Sequence, residues 1–146
     1  MEPQDLIVDM TLGGGGYTRA ILDTLGEEGM VVAFDRDKNA VEHARELFSK
    51  ESRLAVHHAR FSQAADFIVL HSPQGHDGAV FDLGVSSHQL DVAERGFSFI
   101  KDGPLDMRMD PSTPTVTAAD IVNTASVPDL TRIFREYGEE LKARQV

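Results

Sequence analysis

From Leu6 to Gly84, short apolar runs alternate with longer stretches whose apolar residues fall at helical spacing. Leu6-Ile7-Val8 predicts a buried strand running into a glycine cluster, Gly13 to Gly16. Thr18 to Leu25 predicts a helix with Ile21, Leu22 and Leu25 on one face, ended by Gly26 and Gly29. Met30 to Phe34 predicts a second strand that stops at Asp35. Asn39 to Lys50, with Ala40, Val41, Ala44, Leu47 and Phe48 in register, predicts a second helix. Leu54-Ala55-Val56 predicts a third strand, Ser62 to Leu70 a third helix, and Gly78 to Phe81 a fourth strand that runs into Asp82-Leu83-Gly84.

Such alternation predicts a parallel sheet with helices on its faces. In these sheets ligands sit beyond the carboxyl ends of the strands, where Gly13 to Gly16, Asp35, Phe61 and Asp82 all fall. From Val85 to Thr115 no periodic segment is visible; a loop of that length is usually functional or disordered, and the varied composition of this one reads as ordered. Two helices are then predicted, one started by Thr117 with Asp120 and the other by Ser126 with Asp129 and Pro128. Gly138 can cap the second, and Glu139 to Val146 reads as the start of another helix. The predicted sheet is about half of a doubly wound domain, so a fragment or short isoform is expected. Its unpaired edge and uncovered apolar faces invite self-association, and a homodimer is one expectation.

Composition narrows the classes. The chain has 146 residues, with 14 basic and 24 acidic side chains and a net charge of −10. That balance argues against a surface wholly devoted to nucleic acid and leaves room for one basic strip. Hydrophobic residues make up 41% of the chain, enough for a packed core. The absence of cysteine excludes disulfides, thiolate metal ligands and a thiol nucleophile within these residues. No apolar run approaches the roughly 20 residues that cross a bilayer, so no membrane contact is expected. The start, Met1-Glu2-Pro3-Gln4-Asp5, lacks the pattern of a signal or transit peptide. A cytoplasmic protein is expected, with the mitochondrial matrix as the alternative.

The glycine cluster follows a strand and opens a helix, where backbone amides can approach a ligand closely. Asp35 ends the next strand 19 residues after Gly16, a spacing suited to an acidic group that takes a ribose diol. NAD and S-adenosylmethionine both fit these two features. Thr18 stands where a dinucleotide site prefers a third small residue. Neither Tyr17 nor Tyr137 has a lysine four residues on, as a short-chain dehydrogenase requires. Asp9 suits an ammonium group better than a pyrophosphate, so the charge pattern favours the sulfonium cofactor. Gly84-Val85-Ser86-Ser87-His88 fails the nucleophile-elbow pattern at its last position. The six histidines show no metal-ligand spacing, and His57 and His58, adjacent on a strand, point to opposite faces. No metal site is expected.

Two segments are more specific. Asp82 to Leu90, DLGVSSHQL, and Glu94 to Asp110, ERGFSFIKDGPLDMRMD, closely resemble the MraW-type family of S-adenosylmethionine-dependent methyltransferases, which act on N4 of a cytosine in small-subunit ribosomal RNA. The glycine loop, Asp35-Arg36-Asp37, Arg60-Phe61-Ser62 and Tyr137-Gly138-Glu139-Glu140 agree with it too. The resemblance spans essentially the whole chain and only part of the family's length. It implies a Rossmann-like class I methyltransferase sheet, incomplete here, over residues 1–103, followed over 104–146 by the beginning of an inserted helical domain.

It also implies cofactor contacts at Gly15, Gly16, Tyr17, Asp35, Phe61, Asp82 and Gln89. Asp35 would take the ribose diol and Phe61 would pack near the adenine. The loop backbone, Asp82 and Gln89 would hold the methionine portion. Tyr17 departs from the family's usual histidine, and Gly14 replaces a larger residue. The exocyclic amine of cytosine is a poor nucleophile and needs an acceptor for its proton, for which Asp82 is the catalytic candidate. The lack of cysteine suits an amine target, which needs no covalent thiol adduct. Arg95, Lys101 and Arg108 form the expected RNA-facing strip, with Phe97 and Phe99 able to stack on a base. Small-subunit rRNA or an assembling ribosomal subunit is the expected partner. The alternative is a truncated, non-catalytic remnant that binds cofactor or ribosome.

Overall fold

A computed structural model describes all 146 residues, which divide into two compact units. The first comprises Met1–His88 with Met109–Thr113, and the second Gln89–Arg108 with Pro114–Val146. The expected boundary near 103 lies within the second unit.

In the first unit four strands, β1 (Leu6–Asp9), β2 (Met30–Asp35), β3 (Leu54–His58) and β4 (Gly78–Val80), form one parallel sheet in the order β3-β2-β1-β4. Helices α1 (Gly16–Thr24), α2 (Lys38–Leu47) and α3 (Ala64–His71) connect them. The central strands β1 and β2 are buried on both faces, and strand alternation splits their side chains into two cores. Ile7, Val31 and Ala33 pack with Ile21, Leu22, Leu25, Ala44 and Phe48 from the α1 and α2 side. Val8, Val32 and Phe34 pack with Ala64 and Ile68 from the α3 side. Four consecutive residues of β2, Val31 to Phe34, are therefore fully buried.

Element ends differ from the sequence expectation for local reasons. Helix α2 stops at Leu47 and not at Lys50, and Phe48 folds back into the core at 6% exposure. The third helix begins as a 3-10 turn at Phe61–Gln63 before its α-helical part. Asp37, two residues past the end of β2, caps α2 by accepting the Asn39 N–H at 3.0 Å.

Residues 85–115 are not devoid of regular structure. They include α4 (Ser87–Asp91) and a 3-10 turn at Ala93–Arg95. In the second unit, α5 (Ala118–Thr124) starts with a reciprocal Thr117–Asp120 capping box. Helix α6 (Val127–Glu136) starts at Ser126, whose hydroxyl accepts the Asp129 N–H at 3.3 Å. The expected last helix is only a 3-10 turn, Ala143–Gln145.

Candidate functional site

The order β3-β2-β1-β4 reverses direction between β1 and β4, and in sheets of this kind the loops after those strands bound a ligand crevice. On one side is the glycine loop. Gly13 and Gly15 have φ of +50° and +80°, values costly to any residue with a Cβ. A Cβ on Gly15 would lie 2.8 Å from the Phe48 ring, so the loop rests on that ring. At Gly14 and Gly16 a Cβ would meet nothing within 4 Å, so the outer side of the loop faces open space. Helix α1 begins there, and the N–H groups of its first turn, including Gly16 and Tyr17, have no acceptor within the helix. Tyr17 is 53% exposed, so its ring is not part of the core.

Three carboxylates frame this loop. Asp9, at the end of β1, is fully buried. Its Oδ2 accepts the Thr18 hydroxyl at 2.7 Å and its Oδ1 the Thr11 N–H at 3.1 Å. Burial raises its pKa, and the charges of Asp35 and Asp82 push in the same direction. Asp9 thus braces both ends of the glycine loop, which is a different task from the ammonium contact its position suggests. Asp35 accepts the Gly13 N–H at 2.8 Å on one oxygen and the Asp37 N–H at 2.8 Å on the other. Burial raises its pKa too, opposed by these backbone donors. Each oxygen retains a second lone pair for a ligand hydroxyl. Asp82, beyond β4, exposes its side chain, while its N–H donates to Thr11 Oγ1 at 2.7 Å.

Two aromatic rings also meet beyond the carboxyl ends of the strands. β3 and β4 are the two outer strands, yet the loops after them converge. Phe61 and Phe81 meet edge to face with centroids 5.9 Å apart, and both remain about half exposed. The first unit therefore gathers Gly15, Gly16, Tyr17, Asp35, Phe61 and Asp82 at one end of its sheet. Phe81, absent from the sequence-level candidates, joins them. Its apolar character reads simply as the end of a strand, and only the ring contact with Phe61 reveals it.

The remaining candidates belong to the second unit. Gln89 is buried there. Arg95, expected to face RNA, is only 6% exposed, and its Nη2 donates to the Arg108 carbonyl at 3.2 Å. Such a side chain braces its loop and offers RNA little surface. Arg108 forms a two-pronged pair with Asp106, Nε to Oδ1 at 2.9 Å and Nη2 to Oδ2 at 2.6 Å, which holds the Asp106 carboxyl below its usual range. Lys101 is half exposed, with its ammonium on the Asp91 carbonyl and 3.7 Å from that residue's carboxylate. Phe97 is half-buried, and Phe99 stands fully in solvent.

One polar pair has no counterpart in the sequence reading. His57 and His71 approach Nε2 to Nε2 at 3.1 Å, with His57 packed on the Phe34 and Phe67 rings. His58 points the other way, to the Arg36 carbonyl at 3.0 Å and Asp110 at 3.6 Å, as strand alternation requires.

The sequence profile of the MraW methylase family matches residues 1–146. A protein named ribosomal RNA small subunit methyltransferase H from Syntrophotalea carbinolica is 49% identical over 146 residues, covering 99% of this chain and 46% of that protein. Its namesake from Geobacter sulfurreducens is 48% identical over 148 residues, covering 99% of this chain and 47% of the relative. The chain thus spans about half the length of the curated relatives it matches. A solved structure from Clostridium thermocellum, described as that of a putative rRNA-methylase, superposes with a TM-score of 0.53 at 21% identity, over 59% of this chain and 46% of that one, and shares the fold.

Proposed function

The chain belongs to the MraW methylase family, and we propose that its strand-end crevice binds S-adenosylmethionine for transfer of a methyl group to N4 of a cytosine in small-subunit rRNA. The observation that carries this reading is the meeting of the glycine loop, Asp35 and Asp82 around one crevice, where the charges of Asp35 and Asp82 add to the burial that raises the pKa of Asp9. A locally negative site suits a ligand with sulfonium and ammonium charges and repels a pyrophosphate. The open space beside Gly14 and Gly16 gives such a ligand access to the backbone.

Asp35 would accept the ribose diol, already oriented by its two backbone donors. The first-turn amides at Gly16 and Tyr17 would receive the methionine carboxylate at the positive end of α1. A backbone contact at Tyr17 tolerates the change from the family's usual histidine. Phe61, half exposed against Phe81, offers a ring for the adenine. Gln89 is assigned to the methionine end by the family resemblance. When bound, S-adenosylmethionine supplies an electrophilic methyl group on sulfur. Asp82 would accept an N–H of the cytosine amine, fix its line of approach and take its proton as the new bond forms. On the RNA side, Lys101 and the exposed Phe99 have the surface for contact, whereas Arg95 and Arg108 shape the loop that presents them.

Calorimetric titration of the chain with S-adenosylmethionine and with NAD tests the cofactor assignment. Binding of the first alone is expected, with Asp35→Ala weakening it about tenfold or more, the scale of a hydrogen bond to a charged group. Transfer of labelled methyl to unmodified small ribosomal subunits tests the reaction. Binding of NAD, or an Asp35→Ala variant with full S-adenosylmethionine affinity, would overturn the assignment. Binding without transfer would instead fit the non-catalytic reading.

A further inference from the structure

We propose that Thr11 is a positioning residue: its hydroxyl clasps the loop after β4 to the loop after β1 and thereby sets where Asp82 stands in the crevice. The inference rests on the cofactor reading above and adds a residue to it. Parallel pairing between β1 and β4 ends at Asp9 opposite Val80, with one further bond from the Met10 N–H to the Val80 carbonyl at 2.9 Å. Beyond that point the two chains turn into loops, and Gly84, with φ of +146°, lies two residues past Asp82. The Asp82 N–H donates to Thr11 Oγ1 at 2.7 Å, carrying the connection past the end of the ladder.

Thr11 is well placed to serve as the fixed partner. Its own N–H donates to Asp9 Oδ1 at 3.1 Å, and Asp9 is fully buried with its other oxygen on the Thr18 hydroxyl. A buried anchor thus holds Thr11, and Thr11 holds Asp82. Because it is the backbone N–H of Asp82 that is held, the carboxylate remains available for a ligand. The two walls of the crevice, one carrying the glycine loop and the other the proton acceptor, are then set at a fixed spacing before any ligand arrives. Such preorganisation limits the ordering that binding would otherwise require.

The test uses Thr11→Val, which keeps the shape and removes the acceptor, and Thr11→Ser, which keeps the acceptor. Amide exchange at Asp82 in the ligand-free chain reads the clasp itself. The valine variant is expected to exchange about tenfold faster at this site and the serine variant to stay near wild type. Calorimetry with S-adenosylmethionine reads the consequence: valine weakens binding about fivefold to tenfold, within the range of one hydrogen bond, and serine restores it. In an Asp82→Ala background the valine change is expected to add no further loss, because both alter the same group. Thr11→Ala replaces the valine variant if the latter does not fold. Unchanged Asp82 exchange in the valine variant overturns the proposal, as does a loss fully additive with Asp82→Ala. A wild-type chain that binds no S-adenosylmethionine overturns the cofactor reading and this role together. Wild-type binding that the valine change leaves unmoved overturns the clasp alone.

Discussion

At the scale of single residues, backbone conformation separates four adjacent glycines that look equivalent in the sequence. Gly15 combines φ of +80° with a Phe48 ring carbon 2.8 Å from where a Cβ would sit, while Gly14 has open space. Gly15→Ala should destabilise the chain by roughly 1–2 kcal/mol from its left-handed backbone alone, with the displacement of Phe48 adding to it. Gly14→Ala should change stability little. Denaturant unfolding of the two variants checks the contrast, and equal midpoints would contradict it. Asp35 makes a parallel case. Its distance from the glycines suggests a ligand-facing acid, and the structure adds that the carboxylate is tied to the Gly13 N–H. An Asp35→Ala change therefore removes a ligand acceptor and a loop brace together, so Asp35→Asn is the informative companion.

At the scale of elements, one surface arginine links a helix end to a strand start. Arg53, just before β3, sends Nη1 to the carbonyls of Leu22, Leu25 and Gly26 at 3.1, 3.1 and 3.2 Å, taking up an acceptor that the last turn of α1 leaves over, at Leu22, and two in the turn that follows it. Glu51 holds the guanidinium from the other side through Nε and Nη2 at 3.0 and 2.8 Å, and the pairing pulls the glutamate pKa from 4.5 to about 2. Because the folded pKa is the lower one, the stabilisation is complete above about 4.5 and is lost as pH falls towards about 2. Thermal midpoints of wild type and Glu51→Gln should differ at pH 6 and converge near pH 2. A gap independent of pH would contradict the ion pair as its source. The elements themselves were largely legible: strands, helices and caps at Thr117 and Ser126 follow from period and from local hydrogen-bonding chemistry. Less legible were short elements such as α4, which are too brief to display a period.

At the scale of the molecule, the sheet has β3 and β4 at its edges, and Leu83 and Val85 beyond β4 are exposed. Open edges and apolar side chains favour association, whereas a net charge of −10 opposes it. Association is therefore expected to rise with protein concentration and with added salt, which screens the repulsion. Sedimentation velocity over a salt series, with Leu83→Lys as the weakened variant, checks this. Association that disappears in salt would instead indicate ionic contacts.

What the sequence determined by itself is whatever depends on neighbours along the chain: strand and helix order, the glycine turn, the end-of-strand positions of Asp35, Phe61 and Asp82, and the motifs that identify the family. Period and turn chemistry act over a few residues and are written in the order of side chains. Only the tertiary structure decided relations between distant segments. The strand order brings Asp82 beside Thr11, the loops after the two outer strands join Phe61 to Phe81, and Arg95 turns inward to the Arg108 carbonyl. A charge or a ring in a sequence carries no sign of whether it will be buried, because that is set by which remote residues the folded chain places against it.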